Sequence, residues 1–314
     1  MSSSSMKPFR FSLQASHLDR PEDLRPLARK SEDLGVAVLT VADHLDDQLA
    51  PIPALMAAAD ATTTLRVGTM VLANDYRHPV MIAKEAATAD VLTGGRLEFG
   101  IGAGWMTTDY HGSGITMDPP GVRISRLEEA IEIILALWRG GPVNYEGAHY
   151  SISGLVGLPK PAQAPRPPLL IGGGGKRVLS LAGKYADIVG LNPTLSAGVI
   201  DASAGPSATF EATQKKISWI REAAGDRFGD IELQTRIHLA IVTPDREAVF
   251  DSFADGFGIT PDEARNTPHA LCGTVDQIVD DLIERRETLG ISTIGLSASA
   301  LDDLAPVIAR LAGT

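Results

Sequence analysis

"LRVGTMVLANDYRHPVMIAKEAATADVLTGGRLEFGIGAG", residues 65–104, decides the fold. It opens on an apolar run of strand length, 65–73. A helical segment, 79–95, starts at Pro79 and closes on Gly94 and Gly95. A second strand, 96–104, ends in spaced glycines. Two strands joined through a helix run parallel, and a parallel sheet needs helices over it.

The same rhythm extends both ways. Strands are expected to start near 9, 36, 66, 96, 168, 186, 231 and 291, each followed by a helix. Among the helices, 21–35 places Leu24, Leu27, Ala28 and Leu34 near one face and meets Gly35 at its end. Helices are also read over 51–62 and 125–140, and a small hairpin over 143–152 turns at Glu146-Gly147. The stretch 157–168 carries five prolines and reads as an extended surface link. The run 231–243 reads as one strand containing Arg236 and His238. Eight such units in 314 residues favour a closed α/β (β/α)8 barrel over an open sheet, as one domain over 1–314 with an insertion between strands four and five.

Composition narrows the functions. The formal net charge is −11 without a Lys/Arg cluster, which argues against general nucleic-acid binding. No apolar run of 18 residues occurs, so no membrane span is expected. The serine run at the start reads as a disordered tip. One cysteine, Cys272, excludes an intrachain disulfide; it reads as a small buried residue and suits a cytoplasmic location. Seven scattered histidines without H-E-x-x-H or a Cys cluster argue against a metal site. The serine-hydrolase elbow is absent.

In such a barrel the chemistry sits where strands run out into loops, and the unusual residues gather there. Strand two ends in Asp43-His44: either a turn cap with a packed ring, or a pair facing the pocket in which His44 moves a proton. Strand three ends in Asn74-Asp75. Strand four ends in Gly102-Ala103-Gly104-Trp105, where Trp105 breaks the dinucleotide pattern G-x-G-x-x-G. Those glycines serve either a tight turn or the close approach of backbone to something flat or bulky. Strand five ends in Gly172, Gly173, Gly174 and Gly175, followed by Lys176 and Arg177. This is not a Walker A loop, because Arg177 stands where Ser or Thr is needed. What remains is either a flexible turn or an anion site built from a helix N-terminus with two cations beside it.

Four stretches, "VADHL" (41–45), residues 67–105, "PKPAQAPRPPLLIGGGGKRVLSLAGKYAD" (159–187) and "LCGTVDQIVDDL" (271–282), resemble the bacterial luciferase-like flavin- and deazaflavin-dependent oxidoreductases. The resemblance implies one flavin-type cofactor at the C-terminal strand ends, coenzyme F420 or FMN. The "ADH" and "LANDYRHP" segments are similar to F420-using members. It implies a non-prolyl cis peptide at Met70-Val71 or Val71-Leu72, bulging against the ring, and a cofactor phosphate at Gly172 to Arg177. The ring end would lie near Asp43, Asn74, Gly102, Gly104 and Trp105. His44 is the candidate acid/base, with Asp43 orienting it or touching the ring; Asp109 and Tyr110 are further candidates. The F420-dependent sugar-phosphate dehydrogenases of this group carry a glutamate where Trp105 stands, which points here to a less polar substrate. The implied reaction is hydride transfer to or from an organic substrate. An FMN monooxygenase and a non-catalytic cofactor-binding protein are the alternatives. The resemblance also implies a homodimer. Residues 51–65, rich in small apolar side chains, are expected to bring helices two and three to its interface, and the segments 105–124 and 192–210 to shape the pocket.

Overall fold

The structure, a computed structural model, describes residues 6–18, 20–195, 198–199 and 201–314. The serine run and part of the 192–210 loop therefore lie outside the described residues. Eight parallel strand positions close into a barrel. They are β1 (Arg10–Gln14), β2 (Val38–Val41), β3 (Arg66–Thr69) continued by β4 (Leu72–Ala73), β5 (Leu97–Gly102), β8 (Leu169–Gly173), β9 (Ile188–Leu191), β10 (Glu232–Arg236) and β13 (Ile291–Ser297). Closure comes from β3 and β4 pairing with β5, and from β1 pairing with β13. The expected starts fall within two residues of those observed.

The remaining strands are appendages. β6 (Pro142–Glu146) and β7 (Ser151–Val156) form the antiparallel hairpin expected from sequence. The expected single strand over 231–243 is broken after Arg236. Its second half, β11 (Leu239–Val242), pairs in parallel with β12 (Ala270–Gly273), which the sequence reading missed. A small second core of Phe250, Ala254, Ala264, Ala270 and Cys272 lies under this pair.

Helices cover the barrel: α1 (Leu24–Asp33), α2 (Pro51–Asp60), α3 (Pro79–Leu92), α4 (Thr107–Ser113), α5 (Pro120–Arg139), α6 (Lys176–Tyr185), α7 (Phe210–Ala224), α8 (Arg246–Phe257), α9 (Pro261–Asn266), α10 (Val275–Leu289) and α11 (Leu301–Leu311). α5 begins at Pro120, five residues before its expected start, because proline fits the first helical position. Among the described residues no helix is long and apolar enough to cross a membrane.

Strand alternation separates two interiors. Phe11, Leu13, Leu39, Val67, Phe99, Ile101, Ile171, Val189, Leu233 and Leu296 face outward and form the main core with the helices. The residues between them point into the barrel, which is polar and glycine-rich. At its N-terminal end Arg10 pairs with Glu98 and Glu232, and Arg66 Nε lies 2.8 Å from Glu98. Further along the strands, Gln234 Nε2 donates to Ser12 Oγ at 3.0 Å, beside Gly295 and across from Gly190. The top level, Gln14, Gly102, Gly172, Asn192, Arg236 and Ser297, is the floor of the barrel mouth.

Candidate active site at the barrel mouth

His44 follows β2 and sits half-buried at the mouth. Its Nδ1 lies 2.8 Å from Asp109 Oδ2. A carboxylate accepts, so Nδ1 carries a hydrogen, and in the neutral ring Nε2 then presents its lone pair. Asp109 is 4% exposed and also accepts from Leu45 N at 3.2 Å and Tyr76 Oη at 3.1 Å. Burial, with Asp109 next in weight, drives the Tyr76 phenol far above its ordinary range, so Tyr76 stays a donor. Trp105 meets His44 edge-on, with ring centroids 5.5 Å apart.

Asp43 does not orient His44. It is 5% exposed and is held by Arg77 at 2.5 and 3.0 Å and by the backbone N–H of Ala73 at 3.0 Å. Its charge is consumed in fixing the chain after β4. Both residues lie past the end of β2 at Val41, where Asp43 turns to Arg77 and Ala73 rather than to its neighbour. The carboxylate that holds His44 instead comes from α4, 65 residues away in the chain. Asn74 is fully buried, and its Nδ2 donates to Tyr150 Oη on the hairpin at 3.2 Å.

The wall of the mouth is the bulge between β3 and β4. The Met70-Val71 bond is cis, at one of the two expected positions. A Cβ on Gly102 would come within 2.8 Å of Val71 Cγ2, and one on Gly100 would collide with the Thr69 carbonyl. Gly104, at φ 71°, leaves no room for a Cβ beside the Tyr110 hydroxyl. The spaced glycines of strand four are therefore demanded by the protein's own Val71, Thr69 and Tyr110. Tyr110 in turn donates to Asp75 Oδ2 at 3.0 Å, and burial, then Asp75, pushes its pKa far up. Arg123 binds the carbonyls of Ala103 and Gly104 and fixes the same loop.

The four glycines of strand five divide in the same way. A side chain on Gly173 would strike Val178, and one on Gly174 would reach 2.5 Å from the Pro193 carbonyl. Gly175 meets nothing within 4 Å, and its φ of −89° suits any residue. Gly173 and Gly174 are thus cleared for the chain itself. Gly175 is the N-cap of α6 and supplies no side-chain cap, so the first-turn N–H groups are open. Lys176 is exposed beside them. Arg177 is committed to α5 instead, donating to Gly121 O at 2.6 Å and Ser125 Oγ at 2.7 Å.

This end fits an anionic cofactor tail: an uncapped helix N-terminus, open space at Gly175 and Lys176, a cation with no ion pair among the described residues, converge there. The arrangement can hold an anion on one side and handle a proton on the other. Among the described residues no group of three or more His, Cys, Asp or Glu could hold a metal.

Two groups were missed or misplaced by sequence reading. His238 and His269 line an apolar cavity of about 210 Å³ with Phe253, Phe257 and Ile259. Burial holds His269 down to about 3, while burial and then the Arg236 charge hold His238 down to about 4, so both rings are neutral. Lys216 Nζ, on α7, donates to the carbonyls of Asn192 and Ser207, and burial lowers it to about 8.

Several F420-dependent glucose-6-phosphate dehydrogenases are similar to this chain. That of Microbacterium testaceum is 34% identical over 57% of this chain and 55% of its own length. That of Amycolatopsis mediterranei is 31% identical over 53% and 52%. The chain thus spans a little over half of these curated relatives. Among solved structures, the coenzyme F420-dependent tetrahydromethanopterin reductase of Methanopyrus kandleri superposes with a TM-score of 0.78 at 18% identity, covering 98% of both chains. The long-chain alkane monooxygenase LadA gives 0.77 at 16% identity, covering 98% and 92%. These two likenesses show the fold. Residues 1–258 match the family of luciferase-like monooxygenases. On that match the chain belongs to the luciferase-like family of flavin- and F420-dependent oxidoreductases.

Proposed function

We propose that this protein is an F420-dependent oxidoreductase that moves a hydride between C5 of the deazaflavin and an organic substrate in the barrel mouth. The observation that carries the reading is the pairing of the uncapped α6 N-terminus, with Lys176 beside it, and the His44–Asp109 pair in the same mouth. The F420-dependent relatives support the choice of cofactor. The bound deazaflavin would supply the hydride chemistry. Everything else falls to the chain.

In this reading Gly172, Gly175, Lys176 and the first-turn N–H groups of α6 hold the phosphate. Met70, Val71 and Gly102 form the wall behind the ring. Gly173 and Gly174 shape the loop, and Arg177 ties it to α5. Asp43 and Asn74 fix the β4 end, and Gly104 makes room for Tyr110. His44 takes the proton of a substrate hydroxyl on Nε2, or returns it in the reverse direction, and Asp109 fixes which nitrogen faces the substrate. Trp105 crowds His44 with an apolar edge where the sugar-phosphate enzymes resembled here place a carboxyl group. That favours a less polar substrate than a sugar phosphate.

Titration of the purified protein with F420 and with FMN, followed by fluorescence, tests the proposal. Micromolar F420 binding with much weaker FMN binding is expected. Tight FMN binding without F420 binding would replace this reading by the FMN monooxygenase.

A homodimer is part of the same proposal. α2 buries most of its small residues within the chain, whereas α3 exposes Met81 at 52% and Leu92 at 69%. We expect α3 to carry the contact. Sedimentation should show a dimer that Leu92→Glu dissociates; a monomeric wild-type protein would end the idea.

A further inference from the structure

The two ends of the barrel treat their cations differently. At the N-terminal end Arg10 and Arg66 are matched by Glu98 and Glu232. At the mouth Arg236 has no such partner. Glu232, Gln234 and Arg236 alternate along β10 and share its inner face. Glu232 and Gln234 reach side chains of β1, which is not a neighbour of β10, so that face is the barrel interior. Arg236 therefore projects inward at the top level, where β10 meets the mouth.

Its contacts are few. Nη2 donates to Ser297 Oγ at 3.0 Å. Nη1 is buried with no acceptor. Among the described residues no carboxylate forms an ion pair with it. Burial alone acts on its pKa, pulling it down to about 10, still well above neutrality, so the charge stays. A half-buried, charged and unpaired guanidinium is costly unless something supplies the missing oxygens. Ser297 accepts from Arg236, which leaves its own O–H to donate. Gln14 Nε2 gives one of its two hydrogens to Ser16 Oγ at 2.7 Å. The position also matters. Strands two to five carry His44, the Val71 wall and the α6 N-terminus. Arg236 and Ser297 stand on strands seven and eight, on the side those groups leave free.

We propose that Arg236 and Ser297 form an oxyanion subsite in the barrel mouth that takes the carboxylate of an organic acid substrate. The subsite deepens the oxidoreductase reading: it rests on that reading for the word substrate, but its binding chemistry does not depend on which cofactor is used. Arg236 holds the carboxylate through charge-assisted N–H bonds, with Ser297 donating to the same group, and so turns the rest of the molecule toward His44.

The test is calorimetric binding of acetate, benzoate and benzamide to the full chain, with and without F420. Benzoate should bind at least roughly tenfold more tightly than benzamide. Arg236→Gln should remove that preference while Arg236→Lys keeps part of it. Circular dichroism and F420 affinity should be unchanged in both variants. Equal binding of benzoate and benzamide, or no binding of either acid, overturns the subsite. So does a benzoate preference that survives in Arg236→Gln. Loss of F420 affinity in Arg236→Gln with acid binding intact would assign the guanidinium to the cofactor and overturn the substrate assignment. Failure of the protein to bind F420 would sink the oxidoreductase reading, and the acid titration without cofactor would still decide the subsite.

Discussion

At the scale of residues, the hydrogen on His44 Nδ1 is the detail on which a proton-transfer role depends. Asp109 accepts it at 2.8 Å and is itself anchored by Leu45 N and Tyr76. Replacing Asp109 by Asn keeps the shape but allows the amide to donate, so the ring can place its hydrogen on Nε2 instead. We expect Asp109→Asn to lower kcat by roughly tenfold or more, within the range general acid–base groups contribute. Nitrogen NMR of His44 should show the Nδ1–H form in the parent protein and a shift toward Nε2–H in the variant. An unchanged tautomer would remove Asp109 from the account. His44 was legible in the sequence because a histidine at a strand end is unusual. Asp109 was a candidate in its own right, but its pairing with His44 was not legible, because it is made in space between the β2 loop and α4. Asp43, the nearer carboxylate in sequence, is held by Arg77.

At the scale of elements, period and punctuation carried most of the reading. Pro79 and Gly94-Gly95 bracket α3, and Gly35 ends α1, as turn chemistry requires. The break in the run 231–243 was illegible, since no glycine or proline marks it and the halves are told apart by the strand each pairs with. The glycines held a signal that can be read in retrospect. Gly100 and Gly102 alternate with Phe99 and Ile101, which is the mark of a strand with an apolar outer face and a crowded interior. Another contact joins elements that sequence could not pair. Glu32, on α1, accepts from the backbone N–H groups of Thr63 at 2.9 Å, Thr64 at 2.5 Å and Leu65 at 2.8 Å. These bonds, Thr64 first, lower its pKa to about 2. A carboxylate lowered in the folded state stabilises above its ordinary pKa and loses that contribution as pH falls toward 2. Glu32→Gln should therefore lower Tm at pH 7, and the difference should shrink between about pH 4.5 and 2. A Tm difference that does not vary with pH would show that the charge plays no part.

At the scale of the whole molecule, the barrel divides its labour along its axis. The N-terminal end is closed by compensated charges, the middle by the Gln234–Ser12 bond, and the C-terminal end is left with open donors, an imidazole and a guanidinium that has no ion pair among the described residues. The eight-strand rhythm made this architecture readable from 65–104 outward, because each parallel crossover needs a helix of its own. Which mouth residues face inward was not readable, because that depends on closure. The central claim is that the α6 N-terminus holds the cofactor's phosphate. Gly175→Asp tests it directly, since a Cβ there meets nothing and aspartate is a favoured N-cap. The new carboxylate would cap the free N–H groups and repel an anion from the same place. Measured side by side, Tm and F420 affinity should move in opposite directions: Tm unchanged or raised, and F420 binding weakened at least roughly tenfold. A stable Gly175→Asp protein that binds F420 as the parent does would contradict the account.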